Sequence, residues 1–288
     1  MPELPEVEIV KQSLKKTIIY KKIINVKVSN RNLRFKLKKN FETYLIKRKI
    51  IDVLRIAKYL VIALDNNKYL IIHFGMSGTL HLLKKDKNIK NTNLSFYNSC
   101  DLPKKHNHIE FFFDNFKVIY NDPRRFGFLK IFNSREILNK YLDNYEKEPL
   151  NKNFNVNHLK NILSSKKKNI KNILLDQKCI SGIGNIYANE ILFFSKINPK
   201  KLGKNLSDID IKKLVFYSKK VLNNAILKGG STIRNFKNAN GIEGKFQDDF
   251  KVYNKKGLKC TNKNCIQVIK KITISNRSTF YCSYCQKS

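Results

Sequence analysis

Four cysteines in the last tenth of the chain constrain its fold more than any other feature of the sequence. They stand as Cys260-x4-Cys265 and Cys282-x2-Cys285, with sixteen residues between the two pairs. Four thiolates at this spacing complete a tetrahedral zinc site with no open position, so the metal would hold a fold rather than take part in chemistry. A segment as short as 250–288 cannot bury a core of its own, and we expect it to fold around one zinc ion. A redox-active cysteine pair is the alternative.

The charge balance indicates a polyanionic partner. The formal net charge is +36 and the isoelectric point is near 10.0, which is most simply explained by nucleic acid. Lysine, asparagine and isoleucine are abundant whereas only nine residues are arginine, a bias typical of AT-rich genomes, so part of the basicity reflects codon usage. Arginines are therefore more informative than lysines, above all Arg124, Arg125, Arg234 and Arg277.

Length and hydropathy bound the architecture. A chain of 288 residues, 42% of them hydrophobic, can form two globular domains and a small appendage. No run approaches the ~20 apolar residues that span a bilayer, and no hydrophobic signal segment opens the chain, so we expect a cytosolic protein. Cys100 and Cys179 stand alone and are expected to be ordinary thiols.

Two hydrophobic patterns divide the chain. A period near 3.6 in the first 20 residues predicts a helix that begins just after Pro5. Between 23 and 132, short apolar runs such as 59–64 and 69–74 are typical of the buried strands of a sandwich or barrel, with a hairpin turn at 65–67. The polar stretch 84–107 reads as a surface loop, and helical patterns follow residue 133.

These patterns predict four segments along the chain. We expect an N-terminal β-sandwich domain at 1–134, a linker at 135–149, a helical domain at 150–249 and the zinc module at 250–288.

The first three residues carry a possible nucleophile. Removal of Met1 would leave Pro2 with a secondary amine next to the carboxyl group of Glu3. An α-amino group titrates near ~8, so part of it is unprotonated at neutral pH. Its attack on an aldehyde-level carbon gives a cationic iminium, which accepts electrons without any cofactor. The alternative is an ordinary ragged terminus.

Six segments, in order along the chain, resemble the formamidopyrimidine-DNA glycosylase family of bacterial base-excision repair enzymes. They are Met1-Pro-Glu-Leu-Pro-Glu-Val-Glu8, Ala57-Lys-Tyr-Leu60, His73-Phe-Gly-Met-Ser-Gly78, Asp122-Pro-Arg-Arg-Phe-Gly127, Gly182-Ile-Gly-Asn-Ile-Tyr-Ala188 and Arg277-x4-Cys282-x2-Cys285. The resemblance covers both domains and the zinc module. It implies an α+β fold, in which an N-terminal β-sandwich with flanking helices precedes a helix-two-turns-helix domain with a zinc-finger β-hairpin.

The resemblance also implies a mechanism. Pro2 would displace an oxidised purine from C1′ and form a Schiff base, and Glu3 would protonate the deoxyribose ring oxygen. Lys58 and Arg277 would assist the β- and δ-eliminations that cut the strand. Lys58 follows an apolar run and precedes a predicted strand, so we expect its ammonium group to point out of the sheet into a groove. The resemblance further implies one structural zinc ion and no redox cofactor. It also implies a monomeric enzyme that acts on double-stranded DNA in the bacterial cytosol.

The same resemblance assigns the DNA contacts. Met76, Arg124 and Phe126 match the residues that fill the void left when the damaged nucleotide is extruded. Without the resemblance, Met76 and Phe126 would be assigned to the core, and Arg124 with Arg125 would be a phosphate clamp. Four further residues are implied to contact DNA: His73, His106, Lys166 and Asn185. The polar segment 231–257 reads as a loop that could close over an everted base.

Some interpretations stay open on the sequence alone. Glu6 either lies near the reaction site or is simply a favourable acid in a first helical turn. Endonuclease VIII, which prefers oxidised pyrimidines, shares the Pro-Glu start but differs at Leu4 and lacks the void-filling trio. A zinc-containing DNA-binding protein without catalysis is the second alternative. The four-residue gap between Cys260 and Cys265 and the long 84–105 loop depart from the family pattern.

Overall fold

The computed structural model of the chain describes residues 2–84, 105–145, 147–231 and 246–287. These residues divide into two units, one formed by Met1–Asp143 with Lys228–Gln247 and the other by Asn144–Leu227 with Asp248–Ser288. The greater part of the predicted 84–107 loop and of the 231–257 loop lies outside the described residues.

Two four-stranded antiparallel sheets form the first unit. The strands are β1 (Asn25–Val28), β2 (Ile50–Ile56), β3 (Tyr59–Leu64), β4 (Tyr69–His73), β5 (Thr79–Lys84), β6 (Asn107–Phe112), β7 (Phe116–Asn121) and β8 (Phe128–Phe132). One sheet has the order β1-β6-β7-β5 and the other the order β2-β3-β4-β8. Side chains of both sheets, such as Leu60 and Ile72 from one and Ile109 and Tyr120 from the other, belong to one buried core. This confirms the predicted sandwich and the hairpin between β3 and β4.

Helix α1 (Leu4–Ile18) covers this core with Val7, Val10, Leu14 and Ile18, as its sequence pattern predicts. The helix begins at Leu4, slightly earlier than expected, and Pro5 lies within its first turn. Proline is tolerated there because the N–H that it lacks would have no intrahelical acceptor. A short helix α2 (Arg135–Leu142) follows β8, with the Ser134 side chain accepting from the N–H of Ile137 at its N-terminus.

Helices and one hairpin form the second unit. The helices are α3 (Val156–Ser164), α4 (Ile170–Leu175), α5 (Asn185–Phe194) and α6 (Asp208–Leu227), and the hairpin consists of β9 (Lys270–Ile274) and β10 (Arg277–Tyr281). The predicted change from strands to helices after residue 133 is confirmed, as is the α+β class. None of the helices in the described parts of the chain has the length and apolar character needed to cross a bilayer.

Candidate active site and nucleic-acid interface

The N-terminal residues are buried at the start of α1. Pro2 is buried, and Glu3 is only 2% exposed. Glu6 faces the same place: its Oε2 accepts from the backbone N–H of Glu3 at 2.9 Å. Its Oε1 accepts from the backbone N–H and the hydroxyl of Ser231, at 3.0 and 2.9 Å. Glu6 therefore joins the first helical turn to a residue 225 positions later, in addition to occupying the favourable first-turn position.

Lys58 lies in a two-residue turn between β2 and β3, where Ala57 has a φ of 52°. It is only 5% exposed, whereas its position before a strand had indicated an ammonium group in an open groove. The turn is connected to α1 through Arg55, whose Nε donates to Glu8 Oε2 at 2.7 Å and whose Nη1 donates to the Ala57 carbonyl at 3.0 Å. These contacts fix the backbone next to Lys58 relative to α1.

His73, at the end of β4, is a neutral imidazole at neutral pH. Burial, followed by the charges of Lys58 and Arg34, lowers its pKa to about 4. Nδ1 accepts from the backbone N–H of Gly75 at 3.1 Å, so the remaining proton lies on Nε2. The ring stacks on Phe128 at 5.3 Å between centroids. His73 can therefore act as a hydrogen-bond donor through Nε2.

Met76, Arg124 and Phe126 are all exposed, on two loops of the first unit. Met76 is 48% exposed on the loop between β4 and β5, and Phe126 is 45% exposed on the loop between β7 and β8. The Arg124 guanidinium lies over the Phe126 ring at 4.6 Å. Two large apolar side chains in water, beside a stacked guanidinium, do not form a core; they are suited to insertion between bases.

An open cavity of about 590 Å³ adjoins this pair of residues. It is lined by Asn32, Leu33, Arg34, Arg124, Arg125 and Phe126. Three of the nine arginines of the chain thus surround one concave surface, which favours an anionic ligand such as a phosphate backbone. His106 is exposed just before β6 and has a φ of 70°.

In the second unit, a glycine-rich turn at 181–184 precedes α5. Asn185 is the first residue of this helix, and its Nδ2 donates to the carbonyl of Ser278 at 3.0 Å. One amide hydrogen of Asn185 is thus directed at the β9–β10 hairpin rather than outward. Lys166 lies half-buried between α3 and α4, with its backbone N–H bound to the Leu163 carbonyl.

Arg277 is exposed at the tip of the β9–β10 hairpin. The two turn residues, Ser275 and Asn276, have φ values of 47° and 58°, as a type I′ hairpin turn requires. The carbonyl of the next residue, Ser278, accepts two hydrogen bonds, one from Asn185 and one from Nζ of the buried Lys171 at 2.9 Å. The backbone that carries Arg277 is therefore fixed against α4 and α5.

The four terminal cysteines form one cluster. Their sulfur atoms all lie within 4.8 Å of one another and could hold a metal ion. The Cys260–Cys285 and Cys265–Cys282 sulfur distances are 3.8 and 3.6 Å, far longer than the ~2.05 Å of a disulfide bond. Apolar side chains, among them Phe193, Val252 and Phe280, pack around the cluster.

A buried carboxylate holds the segment that leads into this cluster. Glu190 on α5 accepts from the backbone N–H groups of Lys251, Val252 and Tyr253, at 2.9, 3.0 and 2.8 Å. Three donors compensate for the removal of this side chain from water.

Sequence reasoning missed the side chains that support the candidate site. Arg34, Arg55 and Lys171 have no local motif of their own. The bonds of Arg55 to Glu8 and of Lys171 to Ser278 join residues that are distant in sequence. The scarcity of arginine was a usable signal for Arg34 and Arg55, whereas Lys171 is one lysine among many.

The chain matches two family models and several known proteins. Residues 1–129 match the formamidopyrimidine-DNA glycosylase N-terminal domain model, and residues 146–237 match the H2TH domain model of the same enzymes. The chain is 40% identical to a formamidopyrimidine-DNA glycosylase of Rickettsia bellii over 289 residues, covering 100% of both chains. It is also similar to Lactococcus lactis Fpg bound to DNA with an abasic site, and to a mutant of that protein bound to DNA with Fapy-dG. Each of these two structures shows 31% identity, complete coverage of both chains and a TM-score of 0.87.

Proposed function

The chain belongs to the formamidopyrimidine-DNA glycosylase family, and on this premise we propose that it excises oxidised purines from duplex DNA and then cuts the strand. The expected substrates are 8-oxoguanine and formamidopyrimidines. The abasic and Fapy-dG complexes of the L. lactis relative support a DNA substrate of this class.

The exposure of Met76, Arg124 and Phe126 carries the proposal. An enzyme that extrudes a nucleotide must fill the space left in the duplex, because the unstacking cost is a few kcal/mol. A flexible apolar side chain, an aromatic wedge and a guanidinium that can pair with the orphaned base suit this purpose. A protein that only tracks the phosphate backbone has no need of exposed Met and Phe.

The N-terminal residues supply the chemistry. After removal of Met1, the Pro2 nitrogen attacks C1′, the glycosidic bond breaks, and the base leaves with the bonding electrons and a proton. Glu3 protonates the ring oxygen as the sugar opens to the iminium; burial suits this role because it disfavours the charged form of a carboxyl group. Loss of a C2′ proton then expels the 3′ phosphate, and a second elimination expels the 5′ phosphate. Lys58 assists these eliminations.

The remaining assigned residues bind DNA. His73, His106, Lys166 and Asn185 contact the duplex, and Arg277 binds the phosphate of the damaged nucleotide. In this proposal the 1–134 domain carries out the reaction, while the 150–249 domain and the 250–288 module hold the duplex.

One zinc ion is proposed to be bound by Cys260, Cys265, Cys282 and Cys285. A tetrahedron with Zn–S bonds of ~2.3 Å has edges of ~3.8 Å, which fits the two sulfur distances given above. The ion would keep the hairpin folded. We further propose that the enzyme acts as a monomer and that it works in the bacterial cytoplasm, where a chromosomal substrate lies.

Borohydride trapping tests the proposal. The Met-processed protein is incubated with a duplex that holds one 8-oxoguanine opposite cytosine, and borohydride reduces any iminium to a stable protein–DNA link. We expect a covalent band whose DNA-bearing peptide begins at Pro2. The matched control retains one additional N-terminal residue, which acylates the Pro2 nitrogen and leaves every other side chain unchanged.

The control should bind the duplex and give no trapped band. A band of equal strength in the control would assign the nucleophile to another amine. Intact binding without a band or strand cut in the processed protein would instead support the non-catalytic DNA-binding alternative.

A further inference from the structure

Asp122 lies at the meeting point of the segments that carry the exposed DNA-facing residues. It is completely buried. Its Oδ2 accepts from the backbone N–H of Gly127 at 2.8 Å and from the hydroxyl of Tyr120 at 3.2 Å, and its Oδ1 accepts from the hydroxyl of Ser77. Its backbone is engaged as well, because its N–H donates to the His106 carbonyl at 3.1 Å.

The loop 74–78 and the loop 122–127 are joined directly at this point. The Ser77 hydroxyl oxygen accepts from the backbone N–H of Arg124 at 3.2 Å while its proton is donated to Asp122. Gly75 is packed so closely that a Cβ there would lie 2.4 Å from the backbone carbon of Phe126. Met76 therefore extends from a loop that is hydrogen-bonded to the loop bearing Arg124 and Phe126.

The chemistry of the contacts favours a carboxylate at this position. Each oxygen of Asp122 faces a donor. The donor at Gly127 is a backbone N–H, which can only donate, so the oxygen opposite it must be an acceptor. Burial and the adjacent Asp122 raise the pKa of Tyr120 well above its ordinary value, so the phenol remains a donor. Burial of the carboxyl group is compensated only if all of these bonds form together.

We propose that Asp122, acting through Ser77, is a positioning residue that holds Met76, Arg124 and Phe126 as one preformed wedge. The inference rests on the proposed function, since it concerns how the void in the duplex is filled. When the wedge is preformed, no entropy is lost in ordering the loops 74–78 and 122–127 while the nucleotide is extruded. The contacts that the wedge makes with the neighbouring bases can then offset the cost of unstacking.

Ser77 is the side chain to change, because it joins the two loops without being buried at the centre of the network. Ser77→Ala removes the donor to Asp122 and the acceptor for Arg124, while Tyr120 and Gly127 keep their bonds to the carboxylate. Ser77→Thr keeps the hydroxyl group. Ser13→Ala, at another partly buried serine of the first unit, is the matched control.

The first readout is independent of catalysis. Amide hydrogen exchange followed by NMR should be slow at Arg124 in the wild-type protein, fast in Ser77→Ala and slow again in Ser77→Thr. Unchanged exchange at Arg124 in Ser77→Ala would overturn the inference, whether or not the protein is an active glycosylase.

The second readout separates positioning from general stability. In single-turnover reactions, Ser77→Ala should excise 8-oxoguanine about tenfold more slowly, which corresponds to ~1.4 kcal/mol. Cleavage of a preformed abasic site should change by less than about threefold, because no base has to be unstacked. A 2-aminopurine placed opposite the lesion should report slower insertion of the wedge.

Three outcomes distinguish the possibilities. Equal losses on both substrates, together with a lower melting temperature, would indicate a merely structural role and refute the positioning of the wedge. Normal excision by Ser77→Ala would refute it as well. Failure of the wild-type protein to excise any lesion would refute the proposed function, and the hydrogen-exchange result would then decide the inference alone.

Discussion

We expect that replacing Glu6 with glutamine disrupts the site, because the amide can accept only one of the two backbone hydrogen bonds that the carboxylate accepts. The two carboxylate oxygens of Glu6 each accept from a different backbone N–H, that of Glu3 and that of Ser231. A glutamine side chain has one acceptor oxygen, so its NH2 group must face one of these donors in either orientation. The variant therefore leaves a buried backbone N–H without an acceptor.

The expected cost follows from that count. One buried unsatisfied donor costs ~1–3 kcal/mol. If the whole loss acted on the geometry around Pro2 and Glu3, excision would slow by about 5- to 150-fold; any part that falls on global stability would lower the urea midpoint instead. Ser231→Ala removes only the hydroxyl donor and leaves both N–H bonds intact, so its cost is ~0.5–1.5 kcal/mol.

Two measurements on the same preparations separate these losses. Urea unfolding reports the loss in global stability, and single-turnover excision reports the loss in the geometry around Pro2 and Glu3. Glu136→Gln is the matched control, since Glu136 is an exposed acid in the first turn of α2 and its contribution there is ~0.3–1 kcal/mol. Equal behaviour of Glu6→Gln and Glu136→Gln would refute this prediction, and so would a larger loss in Ser231→Ala than in Glu6→Gln.

Two further predictions concern acid and metal. The pKa of both His73 and His81 is lowered to about 4, chiefly by burial, so as pH falls below 6.5 the unfolded state takes up protons first. The free energy of unfolding should therefore be highest above about pH 6.5, fall by up to ~3 kcal/mol per histidine towards pH 4 and then level off. Urea midpoints measured across this pH range check the prediction, and His81→Gln should show a shallower decline. Zinc analysis should give one ion per chain, and Cys282→Ser should lose the ion, unfold the β9–β10 hairpin and weaken DNA binding, whereas Cys179→Ser, outside the cluster, should retain all three properties.

Local patterns were sufficient for most of the fold. Strands such as β3 and β4 were visible as apolar runs separated by a polar turn, and the cysteine cluster was visible because its members form two close pairs. The supports of the site could not be predicted in this way. The partner of Glu6 is 225 residues away and that of Asp122 at Ser77 is 45 residues away, and no periodicity connects such pairs.

Burial was the second property that sequence could not supply. Lys58 was expected at an open groove, but the contact of Arg55 with Glu8 and Ala57 fixes its turn against α1, and the lysine is buried. Met76 and Phe126, taken without the family resemblance, would have been assigned to the core, and both are exposed. Tertiary packing thus reversed the expectation from residue type at both places.

The acidic residues of this chain have a different physical task from its lysines. Glu6, Asp122 and Glu190 are buried, and each accepts a hydrogen bond from a distant segment: a backbone N–H in the case of Glu6 and Glu190, and the Ser77 hydroxyl in the case of Asp122. A lysine has no acceptor and cannot replace them, so a lysine-rich codon bias can raise the surface charge while leaving these positions acidic. Surface charges are screened by salt and buried hydrogen bonds are screened far less. High salt should therefore weaken the binding of DNA steeply, while the geometry that these three acids maintain persists and the bound complex continues to react at its ordinary rate.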